Sequence, residues 1–556
     1  MLSNQKATWY LALAALVIIL AGIGLRQPWP ADEPRFAQVA VEMVESGQWF
    51  FPSRGGELYP DKPPVFMWAI AAFYALLGSI KWAFLLPSAL SGLLTLFLVY
   101  DLGKRLWDKP TGLIASTALL ISLQFTLQAK TAQIDAMLCV WVTLGCYGLL
   151  RQLLLRDGWH WYFIGCAAMG VGMLTKGVGF LPLLMLLPYF LLRWFTPQTD
   201  ELKGAWRFAM GPLLMCLVVG FWLVPMLLLV SNSGDPAYAL YRDNILFKQT
   251  VKRYAESWHH IKPFWYYLVS VIPVFWLPLS LLLPWLVPKW WHAIKQQDRR
   301  IILPLSFVVL VILFFSISPG KRGVYMLPAL PMLALVSAPY IKDILTKAWP
   351  NRLIFAVVGL LTLLTGALAL MGLTGSEKAL RLTEDYPVKP WLFLLCLALA
   401  GVVSLWLSRR RLYTSWLYFI PALWLLYSTW GYSLLGPART PEHVFASMQE
   451  ILPAQTPVAL VSMKEQFLLF SPYPMTHFGY HTAIEDQQAW AWAWLEENPE
   501  GRVLVSRQEG LNCFDLDKAI DLGFAHREDW LLLANDARHA ACEQPSAAKL
   551  YQAKTK

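Results

Sequence analysis

The stretch 352-RLIFAVVGLLTLLTGALALMGL-373 contains a single charged residue, the arginine with which it begins. An α-helix rises 1.5 Å per residue, so about 20 apolar residues are needed to cross a hydrocarbon core of about 30 Å. Because lipid offers the backbone amides no water, such a run must satisfy its hydrogen bonds internally, as a helix. The stretch therefore predicts a membrane span, and 9-WYLALAALVIILAGIGL-25 predicts another near the start of the chain.

Composition extends this prediction to most of the chain. Of the 556 residues, 57% are hydrophobic and 15% are charged, whereas soluble domains carry about 25% charged residues. The sequence predicts an all-α polytopic membrane domain over residues 1–435. About thirteen apolar runs qualify as spans, near residues 8–25, 82–104, 110–128, 134–153, 160–176, 177–195, 205–230, 264–286, 301–317, 323–342, 352–373, 391–408 and 412–435.

Basic residues in short loops predict the orientation of this domain, because such loops stay in the cytoplasm. Clusters such as Arg409-Arg410-Arg411 follow even-numbered spans and therefore share one side. The first loop, residues 26–81, then faces the periplasm of a bacterial inner membrane. No cleavage pattern follows the first apolar run, so we expect it to be kept as an anchor. The net charge of +10 is explained by topology, and no basic stripe indicates nucleic-acid binding.

Residues 436–556 have shorter apolar runs and more charge, which predicts a small α/β domain on the periplasmic side. The predicted elements are strands at 458–463, 475–480 and 501–506, and a helix at 484–498. Five of the seven cysteines fall in predicted spans, where they pack as small apolar residues. The other two, Cys513 and Cys542, fall in this domain, and the sequence leaves open a disulfide or two free thiols.

The first loop begins with DEPR, residues 32–35, and ends with DKPP, residues 61–64. Apolar residues follow DEPR at helical spacing, which predicts an amphipathic helix lying in the membrane interface, with Glu33 as a capping residue at its start. The apolar face of this helix comprises Phe36, Val39, Ala40 and Met43. The two prolines exclude helix from the residues before them, so DKPP is predicted to be extended or a turn.

Further polar residues recur on the same predicted side of the membrane. Asp135 lies at the outer start of the fourth span, where a carboxylate is costly unless it serves a site or a pathway. Lys176 falls between the fifth and sixth spans. The others lie in the fourth loop, residues 231–263, and in the fifth loop: Arg242, Arg253, His259 and His260, then Lys321, Arg322 and Tyr325.

This division of carboxylates and cations suits glycosyl transfer from a lipid-linked sugar phosphate. Arg and Lys stabilise the charge that develops on the leaving phosphate, and a carboxylate orients the acceptor or takes its proton. A transporter or flippase of lipid-linked sugars would also need a cationic cavity and stays as the alternative class. Transporters place charges near the membrane midplane, whereas these lie at span ends, which favours an enzyme.

Together the motifs resemble those of the GT-C class of membrane glycosyltransferases. They are, in order, DEPRFAQ (32–38), DKPP (61–64), IDAM (134–137), HHIKPFWYY (259–267) and GKRGVYML (320–327). The likeness is greatest to the bacterial 4-amino-4-deoxy-L-arabinose transferase family, with its protein O-mannosyltransferase relatives. The resemblance implies the GT-C fold and an inverting transferase that moves a sugar from polyprenyl (undecaprenyl) phosphate to a periplasmic acceptor.

The resemblance also implies roles for individual residues. Asp32 and Asp135 match the two acids of the family, the first as catalytic carboxylate and the second orienting the acceptor or its helix. The implied ligands of the donor phosphate are Arg35, Lys62, Lys321 and Tyr325, with Arg242 and Arg253 as further candidates. For Arg35 the resemblance leaves open a second role, which is to hold Asp32 in place.

The chain departs from the family pattern at two of these motifs. Phe36 replaces a tyrosine and removes a hydroxyl, and Asp61 replaces a glutamate and is one methylene shorter. In the family, that glutamate and a histidine can hold a metal ion. The resemblance therefore implies a candidate zinc site of Asp61 with His259 or His260, and leaves open whether the shorter acid retains it.

The sequence leaves the sugar and the acceptor open. An ionised lipid A phosphate attacks without losing a proton, so Asp32 would mainly orient it, whereas a sugar or serine hydroxyl requires a base. The candidate acceptors are lipid A, another part of lipopolysaccharide, and a protein, as in O-mannosyl transfer.

Overall fold

The structure is a computed structural model that describes residues 4–195, 204–247, 261–383, 388–509, 512–543 and 549–553. A long helical part is followed by a small sheet with helices, which confirms the predicted fold class. The described helices, numbered along the chain, are α1 Asn4–Leu20, α2 Glu33–Ser46, α3 Val65–Leu77, α4 Ile80–Ala83, α5 Leu86–Leu106, α6 Lys109–Leu120, α7 Leu123–Ala129, α8 Ile134–Leu150, α9 Trp159–Lys176, α10 Leu186–Phe195, α11 Arg207–Ser233, α12 Pro236–Asp243, α13 Ile272–Phe275, α14 Leu279–Lys295, α15 Arg299–Ile317, α16 Leu330–Ile344, α17 Ala348–Leu373, α18 Glu377–Leu380, α19 Trp391–Leu407, α20 Thr414–Leu426, α21 Tyr432–Arg439, α22 Glu442–Ile451, α23 Glu465–Phe470 and α24 Ile484–Glu497. Wider π-helical turns lie at Arg151–Leu155, Tyr267–Val271 and Tyr427–Gly431, and tighter 3₁₀ turns at Leu181–Met185, Gly323–Ala329, Arg381–Thr383, Arg507–Glu509, Leu516–Lys518 and Asn535–Ala537.

The apolar runs form helices, and the protein is a multi-pass membrane protein. Within the described residues, six helices are long and apolar enough to cross a membrane, or eight if each of two bent pairs counts as one span. Other predicted spans, such as α1 and α19, are apolar helices shorter than that length. The count of thirteen spans is therefore not confirmed.

The two bent pairs meet at their breaks. The axis turns by 71° between α6 and α7, and by 111° before α14, where Pro278 has no N–H to continue a helix. The Leu123 N–H at the first break donates to the Leu277 carbonyl at the second (3.2 Å). Each break thus supplies the partner that the other lacks, as a water-poor interior requires.

The first loop folds as two helices joined by a hairpin. The amphipathic helix is confirmed as α2, and its four predicted apolar residues are all buried. They pack against Phe66, Met67 and Ile70 of α3, a helix that the sequence analysis did not predict. Pro64 precedes α3 as its N-cap, a position that proline tolerates because no helical N–H is required there.

Glu33 fixes the start of α2 by contacts outside the helix. Its carboxylate pairs with the Arg26 guanidinium and accepts hydrogen bonds from the N–H groups of Trp29 (2.7 Å) and Ala132 (2.9 Å). The expectation that Glu33 acts as a capping residue is therefore wrong, because the N-cap is Asp32 and the oxygens of Glu33 are bonded to residues before α2 and to the segment just before α8.

Lys130 closes the end of α1 beside this pair. Its ammonium donates to the carbonyls of Ile18 and Ala21 (2.9 Å for Ala21), which α1 leaves without helical partners. The side chains of Arg26, Glu33 and Lys130 are all buried, and we call these three residues the buried anchor.

The hairpin of the first loop reaches the C-terminal domain. Strands β1 Ser53–Arg54 and β2 Glu57–Leu58 pair antiparallel through Gly55-Gly56, which has the positive φ values of a tight turn (62° and 81°). A Cβ on Gly55 would lie 2.8 Å from His477 Nε2, so only glycine fits against that ring.

The C-terminal domain contains a six-stranded mixed sheet in the order β6-β7-β5-β3-β4-β8. Its strands are β3 Val458–Leu460, β4 Met475–His477, β5 Arg502–Ser506, β6 Ile520–Ala525, β7 Glu528–Leu533 and β8 Tyr551–Ala553. Strands β3, β4 and β5 and helix α24 confirm the predicted elements, and Cys513 and Cys542 form a disulfide (Cα–Cα 5.4 Å). The division of the chain at residues 435 and 436 stays a prediction.

Candidate active site

Asp32 lies at the N-cap of α2, where its carboxylate makes no capping hydrogen bond to the helix. It instead accepts hydrogen bonds from Arg35 Nη2 (3.2 Å) and from Arg322 Nη2 (3.5 Å). Its side chain is 20% exposed, so solvent or a ligand reaches the carboxylate. The DEPR motif and the GKRG turn therefore meet at one group, as expected if they share a site.

Within that turn, Arg322 and Lys321 point in different directions. Arg322 is 41% exposed and reaches Asp32, whereas Lys321 is buried and donates to the carbonyls of Ser318 and Lys262 (3.1 Å for Lys262). Burial lowers the pKa of the Lys321 ammonium. The role of Lys321 as a phosphate ligand stays a prediction, and Arg322 is the more accessible cation of the two.

A second cluster joins Asp135 and Lys176 to Tyr325, which belongs to the same motif as Arg322. Asp135, buried in the first turn of α8, pairs with Lys176, the last residue of α9. Each charge suits the dipole of its own helix end. Lys176 Nζ also lies 4.7 Å from the centre of the Tyr325 ring, at a distance suited to a cation–π contact.

One 3₁₀ turn connects the two clusters. The Tyr325 N–H donates to the Arg322 carbonyl (3.1 Å), so these two side chains leave the same turn. Gln124 Nε2 holds that turn through the Gly323 carbonyl (2.8 Å), and Trp276 Nε1 fixes Gln124 in its place (3.1 Å). Asp32 therefore reaches this braced turn through Arg322, and Asp135 reaches it through Lys176 and Tyr325.

Asp61 and Lys62 lie in the extended stretch between β2 and α3, and both side chains are half-buried. Tyr59 is the buried residue at the start of this stretch. Burial raises the pKa of Tyr59, Arg35 opposes that rise, and Asp61 adds to it, so both charged groups lie near the phenol. The roles of Asp61 and Lys62 stay predictions.

The fourth loop is only partly described. Arg242 is on α12, next to the buried Tyr241 that packs against Phe51 of the first loop, and it pairs with Asp243 (2.7 Å). The other predicted residues of this loop, Arg253, His259 and His260, lie outside the described residues.

The zinc site implied by the resemblance finds no support. In the part of the chain that the structure describes, no three side chains among His, Cys, Asp and Glu come together as metal ligands. Asp61 is described, but both histidines proposed to join it are not. We therefore assign no chemical step to a metal ion.

Sequence reasoning noted Lys176 and Arg322 without assigning them a role, and it missed Glu465 altogether. The signal for Lys176 was its place in a Thr-Lys-Gly turn between two apolar runs, and the signal for Arg322 was its place beside Lys321. Glu465 lies in the C-terminal domain and pairs with Arg35 (3.8 Å), which no local pattern could indicate.

Charged clusters at the loop end of a polytopic helix bundle, with a small α/β domain against them, define a membrane glycosyltransferase of the GT-C class. The solved structure of ArnT from Cupriavidus metallidurans bound to undecaprenyl phosphate has the same fold. It superposes with a TM-score of 0.72 at 20% identity and covers 97% of this chain and 100% of its own. A profile of the family described as dolichyl-phosphate-mannose-protein mannosyltransferase matches residues 61–223.

Two relatives of similar sequence indicate which family within this class the chain belongs to. An undecaprenyl phosphate-alpha-4-amino-4-deoxy-L-arabinose arabinosyl transferase of Pseudomonas fluorescens is 31% identical over 75% of this chain and 72% of its own length. The protein of that name from Pseudomonas savastanoi is 30% identical over 78% of each chain. The chain belongs to this family of arabinosyl transferases.

Proposed function

We propose that this chain is an inverting glycosyltransferase that moves 4-amino-4-deoxy-L-arabinose from undecaprenyl phosphate to lipid A. The observation that carries the proposal is Asp32, a partly exposed carboxylate held between the guanidinium groups of Arg35 and Arg322. The donor and the sugar follow from the names of the relatives.

The reaction is a single displacement at the anomeric carbon. An acceptor oxygen forms a bond to this carbon while the bond to the phosphate oxygen breaks, and undecaprenyl phosphate leaves with the electron pair. If the acceptor is a phosphate of lipid A, it arrives ionised, and Asp32 orients it without taking a proton. A hydroxyl acceptor would transfer its proton to Asp32.

The cations act on the leaving group. Arg322 immediately precedes the 3₁₀ turn and Lys176 contacts Tyr325 within it, and their charges stabilise the phosphate as the sugar departs. Lys62 and Tyr325 add donors from the first loop and from the turn. Arg35 holds Asp32, and Asp135 holds Lys176 in its position.

The proposal places the protein in a bacterial inner membrane, with residues 1–435 forming the membrane domain. The first loop and the C-terminal domain, residues 436–556, then face the periplasm. This orientation is supported by the basic residues in the short loops on the opposite side.

A protein acceptor is the second candidate. It is favoured by the match of residues 61–223 to the profile described as dolichyl-phosphate-mannose-protein mannosyltransferase. A serine or threonine hydroxyl would then need Asp32 as its base, so the two candidates differ in what the carboxylate does.

The test is a mass spectrum of lipid A from cells that lack this chain, complemented with wild type, Asp32→Asn or Asp521→Asn. Asp521 is the matched control, since it also pairs with an arginine (Arg507, 3.0 Å) but lies exposed on β6. We expect a mass increase of one aminopentose with wild type and Asp521→Asn, and none with Asp32→Asn. Identical lipid A in all strains would rule out this acceptor, and a sugar found on protein would support the second candidate.

A further inference from the structure

Glu465 brings a carboxylate of the C-terminal domain to the first loop. It is the first residue of α23, and its side chain is only 11% exposed. A buried carboxylate is costly unless cations or hydrogen bonds compensate its charge. The partners of Glu465 therefore indicate why a charge is placed there.

Both partners are arginines of the first loop. A single oxygen, Glu465 Oε1, lies 3.8 Å from Arg35 Nε and 3.4 Å from Arg54 Nη1. Arg54 is held in turn by the face of Tyr480, another residue of the C-terminal domain, at 3.5 Å from the ring centre. Glu465 thus lies between two guanidinium groups that would otherwise repel each other.

Arg35 consequently has a carboxylate on two sides, one hydrogen-bonded and one at ion-pair distance. Its Nη2 donates to Asp32 and to the Ala31 carbonyl (both 3.2 Å), while its Nε edge faces Glu465. A planar guanidinium transmits orientation from one edge to the other, because its nitrogens cannot move independently. The direction in which Arg35 presents its donors to Asp32 therefore depends on Glu465.

We infer that Glu465 is a positioning residue for Arg35 and Asp32, so that the C-terminal domain completes the site of transfer. The inference rests on the proposed function, since Glu465 acts only through these two residues. Without its charge, Arg35 and Arg54 separate and Asp32 loses its fixed orientation. The positive charge available to the donor phosphate does not decrease, so the donor should bind as before.

The test compares Glu465→Gln with Glu57→Gln in the purified full-length chain. Glu57 is a charge-matched control at the same contact between the hairpin and the C-terminal domain, where it accepts the Tyr480 N–H (2.7 Å). Rates are measured with undecaprenyl phosphate-linked 4-amino-4-deoxy-L-arabinose and lipid A. We expect Glu465→Gln to lower kcat about tenfold with the donor KM unchanged within about twofold, because misplaced groups cost rate more than binding.

Glu57→Gln should keep the wild-type kcat. An unchanged kcat in Glu465→Gln, or an equal loss in both variants, would overturn the inference, since only a general docking effect would then remain. If Glu465→Gln does not fold, Glu465→Asp keeps the charge but retracts the oxygen by about one bond, and a fall in kcat at constant KM is again expected. Asp32→Asn, run in parallel, separates the two levels. If Asp32→Asn transfers like wild type, the assignment of Asp32 is wrong, and the inference about Glu465 is wrong with it. If Asp32→Asn is inactive but Glu465→Gln is fully active, only the inference about Glu465 is overturned.

Discussion

Asp32 and Glu33 are adjacent in sequence, yet their carboxylates lie in opposite environments. Glu33 belongs to the buried anchor, where its oxygens meet a guanidinium and two backbone N–H groups. Within the described part of the chain, Asp32 receives two longer contacts, from Arg35 and Arg322, and remains partly exposed. One motif therefore supplies both a fully bonded carboxylate and one with free acceptor capacity.

The difference teaches how the motif divides its work. A charge whose partners are all protein groups contributes to stability, and removing it leaves the others buried without compensation. A charge with open acceptor capacity contributes little to folding and is available to a ligand. Loss of Asp32 and loss of Glu33 should therefore appear in different measurements.

The largest effect is expected from Asp32→Asn. We expect transfer to fall about 10³-fold, within the range for loss of a group that orients or deprotonates a reactant. The free energy of unfolding in detergent should stay at the wild-type value, because the side chain is partly exposed and its arginine partners also have access to water. Transfer and unfolding are measured on the same preparation of this variant. A large loss of stability would contradict the comparison between Asp32 and Glu33.

Glu33→Gln should show the opposite pattern. The two N–H groups bond to different oxygens of Glu33, so the amide keeps an acceptor for only one of them. It also leaves the Arg26 guanidinium buried without its anion, which costs about 3 kcal/mol of the free energy of unfolding. The matched control is Glu377→Gln, whose exposed pair with Arg381 (3.9 Å) should contribute nothing measurable. Denaturant titration of both variants decides the point. Equal stability of the two would show that the buried anchor does not hold the first loop.

Apolar patterning was sufficient for most of the fold. Each predicted span contains helix, and β3, β4, β5 and α24 were located within a few residues. The span count is not confirmed, because several predicted spans are helices shorter than the length needed to cross a membrane. A bent pair and a straight helix also have the same composition, and Pro278 alone did not indicate a turn of 111°. Helix α3 was missed because its thirteen apolar residues fall short of a span.

The sequence predicted which motifs lie near each other, but not the directions in which their side chains point. The sequence grouped DEPR with GKRG, and the structure confirms that these segments meet. It could not distinguish Lys321 from Arg322, since neighbouring residues in an irregular turn point to different sides. Glu465 was beyond any pattern, because its partner Arg54 lies 411 residues away along the chain.

A pH effect extends the comparison of charged groups to a third region, the contact between the hairpin of the first loop and the C-terminal domain. Burial lowers the pKa of His477 to about 4, with Arg54 acting in the same direction and Glu57 against it. In the unfolded chain this pKa is about 6.5, so between these values only the unfolded state takes up the proton. His477 therefore does not lower the free energy of unfolding above about pH 6.5. As pH falls from there towards 4, the free energy of unfolding decreases, by about 2 kcal/mol at pH 5.

Hydrogen exchange at pH 7 and pH 5 measures this effect region by region. Because amide exchange itself slows as pH falls, the rates are corrected for the intrinsic rate at each pH. We then expect lower protection factors at pH 5 in β4 and in the hairpin, but not around the buried anchor, which no histidine of the described residues contacts. His477→Asn removes the titration and keeps an acceptor for the Gly479 N–H (3.2 Å). If this variant shows the same acid sensitivity as wild type, another group is responsible.

The pair Asp135–Lys176 is largely buried, as the buried anchor is. Like the Asp32 cluster, it lies beside the 3₁₀ turn, where Lys176 contacts Tyr325. We expect it to act on the donor, so that Lys176→Met raises the donor KM about tenfold, equivalent to about 1.4 kcal/mol of binding. The single variant also leaves Asp135 buried without its cation, so a loss of stability alone is ambiguous. The double variant Asp135→Asn/Lys176→Met resolves this, because removing both charges of a buried pair can be nearly neutral for stability. A stable double variant that still has a raised KM assigns Lys176 to the donor, whereas recovery of both stability and KM would make the pair a second anchor.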